Sequence, residues 1–191
     1  MDIYQVKIIL KDTRPKVWRR VLVPSDLLLS NLHKIIQTTM GWDNMHLHQF
    51  INDDLFYTVI FEEIEWSEFS NIVDYNGLRI CDLLTAEKEK MIYEYDFGDG
   101  WMHEIRLEKI LPDDGEKKVP LCTGGEMNCP PEDCGGVWGY ASLKQILKDP
   151  THEAYEEWME WLEEDYDPEH FNRDEVNQML KQDNYGCNGW F

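Results

Sequence analysis

The stretch Met91–Leu111, MIYEYDFGDGWMHEIRLEKIL, decides the fold. On both sides of Phe97-Gly98-Asp99-Gly100 apolar and polar residues alternate, the period of a half-buried strand, and the glycines supply the positive backbone angles that a tight reversal needs. The stretch predicts a β-hairpin. In its second arm Trp101, His103, Ile105 and Leu107 share one face, which Ile105 and Leu107 mark as buried. His103 is therefore expected as an imidazole at the edge of a core, within reach of Asp96 or Asp99 at the bend. Asp96-Phe97-Gly98 imitates the metal-binding triplet of a protein kinase. The glycine-rich loop, strand lysine and catalytic loop that such an enzyme needs are all missing. A Walker loop, an HExxH pair and a GxSxG elbow are missing too.

Working outward, Tyr4, Val6, Ile8 and Leu10 alternate with Gln5 and Lys7, and VWRRVLV (residues 17–23) reads as the second arm of a first hairpin. Ser30 is placed as the N-cap of a helix carrying Leu32, Ile35, Ile36 and Met40, with Gly41 as its stop. HLHQFI and LFYTVIF flank Asn52-Asp53-Asp54 as another hairpin. Residues 62–77 read as an acidic loop, and CDLLTAEKEK as a short helix. The glycine, proline and cysteine of Pro112–Gly139 read as one ordered loop. Helices follow: Tyr155, Trp158, Met159 and Leu162 form a stripe. Asn172 with Glu175 makes a capping box ahead of Val176, Met179 and Leu180, with Phe171 and Val176 as a staple. Strands first and helices last predict an α+β fold with antiparallel β-hairpins and a helical C-terminus. A single domain over 1–191 is expected, with a helical subregion at 140–191.

The chain of 191 residues carries a formal net charge of −20, which repels phosphate backbones and argues against nucleic acid. The charge is uneven. Residues 1–20 hold Lys7, Lys11, Arg14, Lys16, Arg19 and Arg20 against Asp2 and Asp12, whereas residues 149–191 hold thirteen acids against Arg173 and Lys181. Such a tail is a set of solvated helix faces, or a docking surface for a basic protein partner or for the chain's own first hairpin. The early charges of MDIYQVKIILKD do not suit a secretory signal, and no apolar run approaches the roughly 18 residues of a membrane span. Five cysteines without a signal read as thiols in a reducing cytoplasm.

Three cysteines share one loop. Cys122, Cys129 and Cys134 have six and four residues between them, not the two-residue gap of zinc ribbons. With His103 or a carboxylate they could complete a tetrahedral zinc site; the other reading is packed, reduced thiols. His46 and His48 are a second metal candidate at His-x-His spacing, although Phe50 on the same face favours core. Glu132 and Asp133 follow Pro130-Pro131, where they close a turn or act as general acid and base.

The blocks YDFGDGW-x-H-x-I-x-LEKIL, PPEDCGG-x-x-GY, KIILKDTRPKVWRRVLVP with LHKIIQTTMGWDNMHLHQF, and DPEHFNRDEVNQML resemble the plasmid pRiA ORF-three-like family. Its members are also labelled insertion-sequence passengers of TnpR type. The resemblance runs along nearly the whole chain. It implies a compact α+β fold of the roll kind, and no particular reaction, cofactor or catalytic residue. The TnpR label suggests DNA resolution by a serine recombinase; the acidic surface and the lack of a basic helix-turn-helix segment argue against that role.

The leading expectation is a non-catalytic binding or adaptor module whose surface joins the YDFGDGW turn to the PPEDCGG loop: Asp96, Asp99, Trp101, His103, Glu132 and Asp133. One alternative is a metal-dependent, hydrolase-like enzyme that holds zinc on Cys122, Cys129, Cys134 and His103, with Asp99 or Glu132 as acid or base. Another is an accessory protein in DNA transposition or recombination, using the basic hairpin around Arg19 and Arg20. Pairing with the acidic tail is the plainer role for those arginines.

Overall fold

Alternation along the first two hairpins produces the centre of the sheet. In the computed structural model, which describes residues 1–60, 71–115, 118–162 and 166–189, β1 (Asp2–Leu10) pairs antiparallel with β2 (Trp18–Pro24). The hairpin read around residues 96–100 is β6 (Lys90–Tyr95) and β7 (Trp101–Pro112). Its long second arm lies against β1, setting Ile8 opposite Ile105 and Leu10 opposite His103. Val6, Ile8, Val21, Tyr93, Tyr95, Trp101, His103, Ile105 and Leu107 are all fully buried, so the polar residues between them take the other face.

Outward from β6 run β3 (His48–Asn52), β4 (Leu55–Thr58) and β5 (Ile72–Asp74), and β8 (Leu121–Glu126) lies beyond β2. The eight strands form one open sheet in the order β5-β4-β3-β6-β7-β1-β2-β8. Among the described residues only the β4–β5 pair is parallel. Of the acidic loop expected over 62–77, residues 61–70 lie outside the described residues, and Ile72–Asp74 is strand rather than loop.

The helix α1 (Leu29–Met40) buries Leu29, Leu32, Ile35, Ile36 and Met40 in the same hydrophobic cluster. Each such side chain contributes roughly 1.5–3 kcal/mol. Gly41, at φ 89°, ends the helix with its amide donating to Gln37 O. The expected Ser30 cap is corrected. Leu28 is the N-cap, Leu29 N donates to Leu78 O, and Ile80 N, at the start of α2 (Ile80–Leu83), donates to Leu27 O. Tertiary backbone partners replace a side-chain cap.

Pro112–Gly139 is also corrected from loop to strand plus helix. LCTGGE pairs with β2, and its glycines disguise it because the missing side chains make room for aromatic rings. A Cβ on Gly125 would lie 2.6 Å from the Phe171 ring. That ring in turn stacks under the Arg19 guanidinium at 4.4 Å. Arg19 is 2% exposed and donates to the Thr39, Trp18 and Glu126 carbonyls, so it is no phosphate contact. Arg20 pairs with Glu108 at 2.6 Å rather than with the acidic tail.

After α3 (Gly136–Ile146) come α4 (Tyr155–Trp161), α5 (Arg173–Met179) and a 3-10 turn at Asp183–Gly186. Asn172 caps α5 as its sequence implies: it accepts from Asp174 N and Glu175 N, and its amide donates to Glu175. One turn on, Asn177 turns back to the sheet edge. Its Oδ1 accepts from Cys122 N and its Nδ2 donates to Cys122 O, both at 2.8 Å, so an amide side chain stands in for the next strand's peptide. Asn177→Ala should cost about 1–2 kcal/mol. That loss is to be read as a lower urea midpoint with unchanged slope. Asn177→Asp, which keeps the acceptor but sets a carboxylate oxygen against the Cys122 carbonyl, should cost at least as much as the alanine.

Candidate functional site

Trp42 follows the αL stop at Gly41, and its ring is driven into the end of the β6–β7 hairpin. It stacks on Tyr95 (centroids 4.9 Å apart), leans on Trp101 (6.0 Å) and meets His103 edge-on (5.2 Å). Its Nε1 donates to Pro130 O at 2.9 Å, satisfying the one polar atom of a ring only 5% exposed. This is how the PPEDCGG loop is seated on the YDFGDGW turn.

Further contacts close the seam. Tyr95 Oη donates to Glu132 Oε1 at 2.5 Å and accepts from Met45 N, and Glu132 also accepts from Asp43 N. Asp99 accepts from Gly135 N at 3.2 Å, placing a carboxylate at the start of α3. The backbone approach there explains two glycines. A Cβ on Gly136 would lie 2.5 Å from Asp99 O, and one on Gly139 would lie 1.8 Å from Cys134 O. Asp96 and Asp133 are both left-handed, at φ 55° and 56°. Between them sits His46, with Nδ1 at 3.8 Å from Asp96 Oδ1 and Nε2 at 3.5 Å from Asp133 Oδ1. Asp96 Oδ1 also accepts from Gly98 N, bracing the turn.

The expected surface residues thus divide. Asp96, Asp99, Glu132 and Asp133 come together at the seam, while Trp101 and His103 lie beneath it, both fully buried. His103 sits deeper than the edge position expected for it. Its Nδ1 meets Tyr93 O at 3.3 Å, its ring packs against Trp42 and Tyr93, and no ion pair or hydrogen bond joins it to Asp96 or Asp99. Burial pushes its pKa down to about 4. Burial raises Glu132 above the usual carboxylate range, against the opposing hydrogen bonds from Tyr95 and Asp43.

The thiols are dispersed. Cys122 lies on β8 and donates to Gly124 O; Cys129 and Cys134 are buried, and burial raises all three, Cys134 to about 12. Among the described residues, Cys122, Cys129, Cys134 and His103 do not gather into a metal-ligand group; His46, Asp96 and Asp133 do, with ligand atoms all within 4.8 Å of one another.

His46 was the residue that alternation placed wrongly. It lies in a bend before β3, out of the strand's parity with His48. His48 enters the core, stacks on His33 at 3.4 Å and bonds Tyr75 Oη at 2.7 Å. Trp42 and Tyr95 went unnoticed as site residues. The available signal was an aromatic residue directly after a helix-stopping glycine.

Beside the seam, a groove of about 780 Å³ runs between the hairpin turn, the β1–β2 loop and the first turns of α3. Gly98, Gly100, Gly135 and Gly136 line it together with Arg14, Trp138 and Lys144. Trp138 is 88% exposed, although the same helix buries Tyr140 and Leu143. Lys144 donates to Arg14 O at 2.7 Å and lies over the Tyr140 ring.

An open, mainly antiparallel α+β sheet with this turn-on-loop seam defines the class of protein. The chain belongs to the family described as plasmid pRiA4b ORF-3-like protein, whose model matches residues 2–175. It is 36% identical over 181 residues to the uncharacterized protein y4hQ of Sinorhizobium fredii (strain NBRC 101917 / NGR234), covering 94% of this chain and 91% of that one. The crystal structure of a protein of unknown function, MM3350 from Methanosarcina mazei Go1, has TM-score 0.83 and 36% identity to it, over 92% of this chain and 97% of that one. Among the described residues no helix is long and apolar enough to cross a membrane.

The buried imidazoles give a signed prediction. His103, with a folded pKa of about 4 against about 6.5 when unfolded, stays neutral in the fold while the unfolded chain takes up a proton. Its contribution is complete above pH 6.5 and is lost as pH falls toward 4, by roughly 3 kcal/mol. His48, lowered by burial and by neighbouring His33, acts in the same direction. Urea unfolding of wild type and His103→Leu at pH 7 and 4.5 should show a smaller acid loss in the variant.

Proposed function

We propose that this chain is a non-catalytic binding module that takes an acidic, apolar-tipped segment of a partner protein into the groove beside the seam. The observation that supports this most is Trp138: an indole 88% exposed on an otherwise anchored helix, at the edge of a concave surface. Exposed tryptophans that become buried on association are among the side chains that dominate interface energies. Glycines along the groove leave main chain accessible, so a bound segment can approach closely.

Charge selects the partner. The β1–β2 loop carries Lys11, Arg14 and Lys16 against Asp12, a local excess of positive charge on a chain of net −20, and Arg14 lines the groove with Lys144, alongside Asp12 and Asp99. Among the described residues no ion pair engages the Arg14 guanidinium. A carboxylate beside an apolar side chain complements Arg14 and Trp138 together. The adaptor reading from sequence is kept, but at this groove the favoured partner is acidic rather than basic.

A displayed random-peptide library panned on the full chain, with counter-selection on Trp138→Ala, tests the reading. Enriched peptides should carry Asp or Glu within a few residues of a large apolar residue. In solution titrations Trp138→Ala should weaken them about 30-fold or more, the loss of a hot-spot contact of about 2 kcal/mol. No enrichment, or binding indifferent to both Trp138→Ala and Arg14→Ala, contradicts it.

A further inference from the structure

The seam contains a ligand set that the groove does not use. His46, Asp96 and Asp133 come from the bend before β3, the hairpin turn and the loop before α3, three separate stretches of chain converging on one point. His46 Nε2 is buried and, among the described residues, has no hydrogen-bond partner, with Asp133 Oδ1 3.5 Å away. A nitrogen donor withdrawn from water beside two carboxylates is costly to leave unused.

We infer that His46, Asp96 and Asp133 form a site for one divalent first-row transition ion, zinc being the best fit. One imidazole nitrogen and one oxygen from each carboxylate make three protein ligands. At bond lengths of about 2.1 Å, adjacent ligand atoms of a tetrahedral zinc site stand roughly 3.4 Å apart. One contact is already near that spacing, His46 Nε2 to Asp133 Oδ1 at 3.5 Å; Asp96 Oδ1 stands 3.8 Å from the ring's other nitrogen, Nδ1, and one ligand atom from each of the three residues lies within 4.8 Å of the other two. Asp96 is held by Gly98 N, so the adjustment falls to the His46 ring and to Asp133, whose side chains are 27% and 70% exposed.

The donor types choose the metal. Calcium and magnesium favour all-oxygen shells, whereas an imidazole with two carboxylates suits zinc or manganese. Charge favours a dication without choosing among them: the carboxylates of Asp96 and Asp133 set two negative charges against a single imidazole. Solvent fills the remaining coordination positions at the exposed rim. Bound there, the ion ties the hairpin turn to the loop through their aspartates. The inference stands apart from the groove reading, since neither Trp138 nor Arg14 takes part.

Zinc titration of the full chain at pH 7, with a phosphine reductant and a competing chromophoric chelator, tests the site. One ion per chain is expected. His46→Ala and Asp133→Asn should each weaken it at least 30-fold, while the double variant Cys122→Ser, Cys134→Ser should leave it unchanged. Because Asp133→Asn is isosteric and exposed, its loss of affinity will not reflect misfolding. X-ray absorption of the zinc form should show nitrogen and oxygen neighbours only. Three results overturn the inference: no stoichiometric zinc, affinity that follows the cysteines or a sulfur shell, and full displacement by equimolar calcium.

Discussion

Trp42 is the contact on which the rest of this architecture turns. Its indole fills the space between the end of the central hairpin and the loop that precedes α3, and its single hydrogen bond holds Pro130 O. Removing the ring would leave Tyr95 and Trp101 without an apolar lid and the loop without its anchor. Every other seam contact, from Tyr95 with Glu132 to Asp99 with Gly135, requires the loop to be at that distance already. The helix stop at Gly41 matters for the same reason, because one more helical residue would carry the indole away from the hairpin.

The seam combines a dry underside with a charged rim that is open to solvent at Asp133 and closed at Asp96. Below, His103, His48 and His33 are held among aromatic rings, and burial keeps His103 and His48 neutral. Above, Asp96, Asp133 and Glu132 surround His46. His46 and His48, two residues apart in sequence, therefore face opposite electrostatic conditions. The bend before β3, which leaves His46 outside the strand that carries His48 into the core, separates them.

Much of the fold was legible in sequence because it rests on local rules. The hairpin around residues 96–100, the first hairpin and the Asn172 cap each carry their own signal in alternation, glycine placement or cap chemistry. The misreadings share a different cause. β8 carries glycines where its neighbours' aromatic rings intrude, β5 is only three residues long, and the start of α1 is satisfied by a partner some 50 residues away. The site was half legible. Asp96, Asp99, Glu132 and Asp133 were visible as carboxylates in turn motifs, and His46 as half of a His-x-His pair, but strand parity assigned His46 to the core with His48, and a bend before β3 breaks that parity. His103 was correctly assigned to the inner face, but its depth depended on the Trp42 lid, a contact across 61 positions that no period reveals.

Amide hydrogen exchange of Trp42→Phe against wild type tests the central claim most directly. Phenylalanine keeps an aromatic ring over Tyr95 and removes the donor to Pro130, so the loop should loosen without unfolding the sheet. The account predicts at least tenfold faster exchange across residues 128–139, with protection retained in β1, β6 and β7. Unchanged protection of the loop, or equal loss throughout the sheet, would contradict it.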